Sequence, residues 1–274
     1  MKSILLHLQG GVRGLWVIDL ALTLARRHAA RLRGVTIADT RRMESIAANA
    51  ESALSIVSEQ TRMHVTRKVQ ESAHTDFSQA CLAAGVDFDV RRMTGNVRDL
   101  LLSEAQLHDL LIAPCVALEA GDHSELAIAP RDLVNLLRAA PVPVLIPRGP
   151  IKAASRVLMV YDGTAESSRL IRSFVKSPLY VGGTHRLLAV GKTEREAQHA
   201  LRGVADYCRA AGMDCELGWA VGNLRSVVLP FARKWEADLV VLGTVRGSPL
   251  VRRILGDVAE DVLTETPCGL YMAG

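Results

Sequence analysis

Short apolar runs alternate along the whole chain with longer stretches whose apolar positions recur every three or four residues. Ser3-Ile4-Leu5-Leu6-His7 is the first such run and reads as a buried strand. Val12 to Arg31 follows at helical spacing, with Leu15, Ile18, Leu22 and Ala25 on one face. Arg33 to Ala38 reads as a strand, Met43 to Ala84 as mostly helix in two pieces, and Asp87 to Met93 as a third strand. The alternation is plainer further on. Val157 to Tyr161 is an apolar run ending at Asp-Gly, a strand leading into a turn. Leu170, Ile171, Phe174 and Val175 fall on one helical face, and Pro178 stops that helix. Leu187 to Val190 reads as a strand, Glu194 to Ala211 as a helix, and Asp214 to Ala220 as a strand. Asn223 is placed to cap a helix carrying Leu224, Val227, Val228, Phe231 and Trp235, which Pro230 should kink. Leu239 to Leu242, Val258 to Leu263 and Cys268 to Met272 complete a strand–helix–strand ending.

Strands alternating with helices predict a parallel, doubly wound sheet. Such sheets take ligands at the carboxyl ends of their strands, where Asp162 and the loop after Leu242 fall.

The pattern also occurs twice. Gly95-Asn96-Val97-Arg98 returns as Gly222-Asn223-Leu224-Arg225, and His108-Asp109-Leu110-Leu111-Ile112 as Ala237-Asp238-Leu239-Val240-Val241. Ala140-Pro141-Val142-Pro143-Val144-Leu145 returns as Thr266-Pro267-Cys268-Gly269-Leu270-Tyr271. The three pairs keep their order at an offset of about 127 residues, which argues for duplication of a whole domain. The two starts lie further apart, so the first copy carries about 25 extra residues within Met43 to Ala84. Pro147-Arg148-Gly149-Pro150-Ile151-Lys152 is the linker, giving domains over 1–149 and 154–274.

Composition narrows the classes. Of 274 residues 49% are hydrophobic but only 4% aromatic, so aliphatic side chains must build the cores. The net charge of +4 is spread over both halves, which gives no basis for nucleic-acid binding. No apolar run is long enough for a membrane span, and the first residues lack a signal-peptide pattern, so a cytoplasmic protein is expected. The five cysteines and eight histidines match no metal-ligand spacing and read as buried thiols and scattered polar groups. No Gly-x-Ser-x-Gly elbow is present, so no catalytic residues are assigned.

The segment richest in chemistry runs from Ala237-Asp238 through Gly243 to Gly256-Asp257-Val258. A buried strand opens into a glycine-containing loop that ends at a helix start, an arrangement that can wrap phosphate with backbone N–H groups. With Asp162-Gly163-Thr164 closing the first strand and Pro267-Cys268-Gly269-Leu270 opening the last, it resembles the universal stress protein family, in tandem two-domain form. The resemblance covers essentially the whole chain and is weaker in the first copy. It implies two tandem flavodoxin-like (Rossmann-like, HUP-type) α/β domains, each a five-stranded mostly parallel sheet with helices on both faces. By position it implies adenine-nucleotide contacts, to ATP or AMP with Mg, from Val160, Asp162, Val190, Leu242, Gly243, Arg246, Gly247, Gly256, Asp257 and Val258.

Two positions depart from the family pattern. Arg246 stands where a glycine is expected, with Gly247 beside it, and Asp257 replaces a serine or threonine. An ionised Asp cannot donate to phosphate. A carboxylate about 4 Å from a phosphate charge costs about 4 kcal/mol at an effective dielectric of about 20. Asp257 also suits a helix N-cap, with Glu260 three residues on. Two readings therefore stand: a nucleotide site in the second copy, or a loop held by its own cap. In the first copy Gln9 replaces the strand-end Asp and the loop after Ile112 lacks the glycines, so its expected role is structural. The resemblance further implies an intramolecular pseudo-dimer in which Val142 to Ile146 and Cys268 to Met272 meet, a possible homodimer, and unidentified protein partners. The function implied is a non-catalytic stress-response module acting through such partners; the alternative is an ATP-binding sensor using the second copy, with slow hydrolysis.

Overall fold

A computed structural model of the chain describes residues 1–40, 53–115, 126–148, 155–176, 179, 183–222, 224–243, 263, 266 and 268–273. The chain forms two compact units, Met1–Leu136 and Leu137–Gly274.

The first unit runs β1 (Ser3–His7), α1 (Gly11–His28), β2 (Arg31–Asp39), α2 (Ala53–Ala84), β3 (Phe88–Gly95), α3 (Val97–Ala105), β4 (Leu110–Ile112) and α4, Pro130–Ala139, which crosses into the second. Its strands lie in the order β3-β2-β1-β4, all paired parallel. Outward crossovers of one hand put α1 and α2 on one face, where they pack together, and the returning α3 on the other. The core is aliphatic, with Ile4, Leu5, Leu6, Leu24, Leu32, Ile37, Leu111 and Ile112 fully enclosed.

Two details differ from expectation. α1 ends at His28, short of Arg31, because Ala29 turns left-handed (φ 47°) and its N–H closes on carbonyls of the last turn. Leu15, expected on the buried face, is 50% exposed in the first turns of that helix. Ala53–Ala84 is one continuous helix with no Gly or Pro inside it; the rest of the stretch read as helical, residues 43–52, lies outside the described residues.

The second unit holds β5 (Val144–Ile146), β6 (Arg156–Tyr161), α5 (Ala165–Lys176), β7 (Thr184–Gly191), α6 (Glu194–Ala210), β8 (Glu216–Val221), α7 (Leu229–Lys234), β9 (Leu239–Gly243) and β10 (Gly269–Ala273). The strand order is β5-β10-β9-β6-β7-β8. All pairs are parallel except β5 with β10, whose antiparallel register sets Ile146 against Leu270 and Val144 against Met272. The expected meeting of Val142 to Ile146 with Cys268 to Met272 is therefore present as a strand pair.

Pro230 acts as predicted but more sharply. A five-residue π-helical segment, Leu224–Val228, precedes α7, and Pro230 sits in the first turn of α7, where its missing N–H costs nothing. Asn223 lies outside the described residues, but its counterpart Asn96 caps α3 by accepting from Asp99 N at 3.3 Å. Among the described residues no helix is long and apolar enough to cross a membrane.

Candidate functional site

In the second unit the chain leaves β6 for β7 on one side and later returns to β9 on the other. The carboxyl ends of β6 and β9 therefore flank the topological switch point, the usual ligand crevice of such sheets. Asp162 follows β6 directly and Gly243 ends β9. Val160, Val190 and Leu242 are buried on the three strands that reach this end.

Local chemistry fixes the Asp162 turn. Gly163 takes a left-handed φ of 79°, which reverses the chain into α5. Thr164 N donates to Asp162 Oδ1 at 3.1 Å, and Thr164 Oγ1 donates to the same oxygen at 2.6 Å. Thr164 Oγ1 in turn accepts from Ser167 N at 3.2 Å, so Thr164 is the N-cap of α5. Gly243 lies hard against that first turn. A Cβ built there would stand 3.0 Å from Ser167 N and 3.1 Å from Ser167 Cα, so only glycine lets the strand end approach the helix start.

The sequence reading missed two contributors. Gly191, at the end of β7, is equally close to the next helix: a Cβ there would lie 2.8 Å from Ala197 N. Thr193 caps that helix by accepting from Glu196 N at 3.2 Å, while Glu196 Oε2 accepts from Lys192 N at 3.1 Å. The signal was legible, since Gly-x-Thr-x-x-Glu is a strand end followed by a capping box. Arg246, Gly247, Gly256, Asp257 and Val258 lie outside the described residues. The structure thus brings together Val160, Asp162, Val190, Leu242 and Gly243 at one end of the sheet.

The corresponding crevice of the first unit is closed. Its switch point lies between β1 and β4. Gln9, 6% exposed, follows β1, and its Nε2 donates to Pro114 O, just beyond β4, at 2.6 Å. Gly10 (φ 74°) lies under α2, where a Cβ would meet Val69 Cγ1 at 2.8 Å. What remains is a cavity of about 10 Å³ lined by His7, Gln9, Gly10, Ala73 and Pro114 among others, room for one water. His7 is fully buried there, and burial pushes its imidazole down to about 4. Among the described residues neither of its ring nitrogens has a hydrogen-bond partner.

The strand starts, at the opposite end, are alike in the two units. Asp109 Oδ2 accepts from the backbone of Lys2 and, at 3.1 Å, of Ser3. Asp238 Oδ2 accepts from Arg156 N at 2.9 Å. The repeated Asp of the His-Asp and Ala-Asp segments therefore ties neighbouring strands together at their starts, far from the crevice. Among the described residues no cluster of His, Cys, Asp and Glu could hold a metal ion.

A doubly wound α/β unit with a glycine-lined switch point and an Asp closing its first strand defines a Rossmann-like class. The comparisons carry it further. Residues 168–273 match the model of the universal stress protein family. A universal stress protein of Synechocystis is 24% identical over 137 residues, 49% of this chain and 48% of that one. One of Methanocaldococcus jannaschii is 33% identical over 75 residues, 27% of this chain and 44% of that one. The matches thus span about half the length of these curated relatives. The crystal structure of a universal stress protein from Archaeoglobus fulgidus overlays with a TM-score of 0.69 at 14% identity, covering 99% of this chain and 96% of that one. The likeness to the universal stress protein family thus lies in the sequence of residues 168–273; for the first half it is one of fold.

Proposed function

We propose that this chain is a non-catalytic regulatory module with one adenine-nucleotide site, in the second unit, whose occupancy is passed on to protein partners. The observation that carries it is the difference between the two switch points. In the first, protein fills the crevice: the Gln9 amide spans to Pro114 and α2 lies over Gly10. In the second, Asp162 and Gly243 stand at the adjoining strand ends, and glycine lets the backbone come close. Asp162 would meet the adenosine side of the ligand and the chain after Gly243 its phosphates, with Mg offsetting the Asp257 charge. No chemical step is assigned. The Asp162 carboxylate is already an acceptor for Thr164 N and Oγ1, a positioning arrangement and not that of a poised base.

That same engagement of Asp162 favours a second reading, in which the loop is closed by its own caps and the module acts through partners without nucleotide. Calorimetric titration of the full chain with Mg-ATP and with AMP separates the two. One site per chain, lost in Asp162→Ala and unchanged in Gln9→Ala, supports the first reading. Absence of heat at about millimolar nucleotide, the weak end of useful affinity, refutes it. Gln9→Asp is expected to add no second site, because Val69 still covers Gly10.

A further inference from the structure

β8 is the end strand of the second unit, and among the described residues it pairs only with β7. Gly222 N, just past β8, donates to Gly191 O at 3.2 Å. Peptide groups alternate in direction along a strand, so the N–H and C=O of Leu217, Trp219 and Val221 point away from β7, along the open edge. The side chains of the same three residues share one face. Val221 stands beside Gly191, and a Cβ on Gly191 would meet Ala197 N, so this is the face that α6 covers. Leu217 is 52%, Trp219 43% and Val221 48% exposed, an apolar stripe along an unpaired edge.

Proteins usually guard such edges with charge. β3, the end strand of the first unit, follows that rule: Arg91 and Arg92 are exposed on it, and Arg91 pairs with Asp89 and Glu104. β8 does not. Its one charged residue is Glu216, at its start, and Arg186 of β7 already holds that carboxylate, with Nε 2.7 Å from Oε2. Arg186 itself lies over the rings of Phe231 and Trp235. The rest of the strand, Leu217 to Val221, presents only backbone groups and apolar side chains.

We propose that β8 pairs antiparallel with β8 of a second copy of this chain, about a two-fold axis through Trp219. A two-fold axis normal to the sheet keeps each face on its own side, so every residue of the α6 face must meet another of that face. Centring the axis on Trp219 satisfies this. Trp219 meets its own counterpart, Leu217 meets Val221, and Glu216 meets Gly222. Each outward N–H of the three edge residues then finds an outward C=O of the other copy, and no carboxylate faces another. The alternation that leaves the edge open thus makes it complementary to itself. α6 packs over β7 and β8 alike. With strands about 4.8 Å apart, the two α6 helices come to about 10 Å from each other, near the distance of packed helices. The strand pair alone is a small interface; the helix contact enlarges it toward what a stable dimer buries.

Analytical ultracentrifugation of the full chain tests this. The parent should sediment as a dimer at about 100 μM and dissociate on dilution toward about 1 μM. Trp219→Lys removes the central aromatic and sets two like charges face to face on the axis. It should weaken association at least about thirtyfold, with the circular dichroism spectrum of the folded chain retained. Trp219→Glu should do the same. Mixing the Lys and Glu variants should restore a dimer of one each, because a residue on the axis meets its own counterpart. Hydrogen exchange across β8 should be slower in the parent than in Trp219→Lys at the same concentration. A parent that stays monomeric at about 100 μM overturns the proposal and leaves the edge to a different protein. A dimer that the Trp219 variants leave intact overturns it too, as does a mixture of the two variants that fails to associate.

Discussion

His7 offers a test of the first unit that depends on one side chain. Its ring is fully buried at the end of β1, and burial pushes its pKa from 6.5 to about 4. In the unfolded chain the ring binds a proton below about 6.5; in the folded unit it resists until about 4. The unfolded state therefore binds more protons in this window, and stability falls as pH drops through it. The loss begins near the unfolded value and is complete below the folded one. Between these two values it reaches about 3 kcal/mol in full, and about 2 kcal/mol at about pH 5. His7→Leu removes the titration and the two unpaired nitrogens, so it should be neutral or slightly stabilising at neutral pH. The assay is urea denaturation at about pH 7.5 and pH 5, followed by Trp16 fluorescence in a Trp219→Phe/Trp235→Phe background common to both proteins. The variant should lose about 2 kcal/mol less between the two pH values than its parent. A residual slope remains, because burial also lowers His74 and His108 in the same unit. Equal slopes for the parent and the His7→Leu variant would refute the reasoning, because the ring would then be solvated or partnered.

Two further outcomes follow from the site and its frame. Gly243→Ala places a methyl about 3 Å from backbone atoms of Ser167, which cannot swing aside, so it should cost the second unit about 1–3 kcal/mol by chemical denaturation; an unchanged midpoint would show that α5 stands further off. Asp109→Ala removes the acceptor for Lys2 N and Ser3 N at an exposed strand start and should cost about 1 kcal/mol. Burial alone would raise the Asp109 carboxyl, but those two amides hold it below its ordinary value. Its contribution is therefore present above the ordinary carboxylate range and vanishes as pH falls through the folded pKa. The parent should lose this increment in acid while the Ala variant does not, as a denaturation series toward low pH would record.

What could be read from the sequence was local or periodic. The alternation of apolar runs gives the strands, and parallel strands take ligands at their carboxyl ends, so Asp162 and Gly243 can be placed at one end of one sheet on sequence grounds alone. Thr193 and Glu196 are equally readable, as a capping box that follows a strand end. The rest depends on contacts between distant segments. Gln9 and Pro114 are 105 residues apart, and nothing in either segment says that the amide will cross to that carbonyl. Val69 reads as one more apolar position on a weakly amphipathic helix until α2 is laid over Gly10. Leu15 had the right spacing for burial, but spacing cannot say that the first turns of α1 lie beside a crevice and not over a full core.

The two ends of the strands compare differently between the units. At the strand starts, Asp109 and Asp238 do the same work on Lys2, Ser3 and Arg156, so the framework bond has been kept in both copies. At the strand ends, the copies have parted. A crevice that merely lost its ligand would leave a wet gap lined by unsatisfied groups, which is costly in a core. Among the described residues the first unit keeps only a small gap beside His7: Gln9 satisfies Pro114, and Val69 and Ala73 of α2 occupy the volume down to about 10 Å³. In the first unit the helix over the strand end and the Gln9 amide suit each other, because a carboxylate in that dry space would be harder to keep than an amide. Among the described residues of the second unit no helix overlies the switch point, so by the same logic Asp162 and the close approach at Gly243 are of use there only if something else fills the crevice.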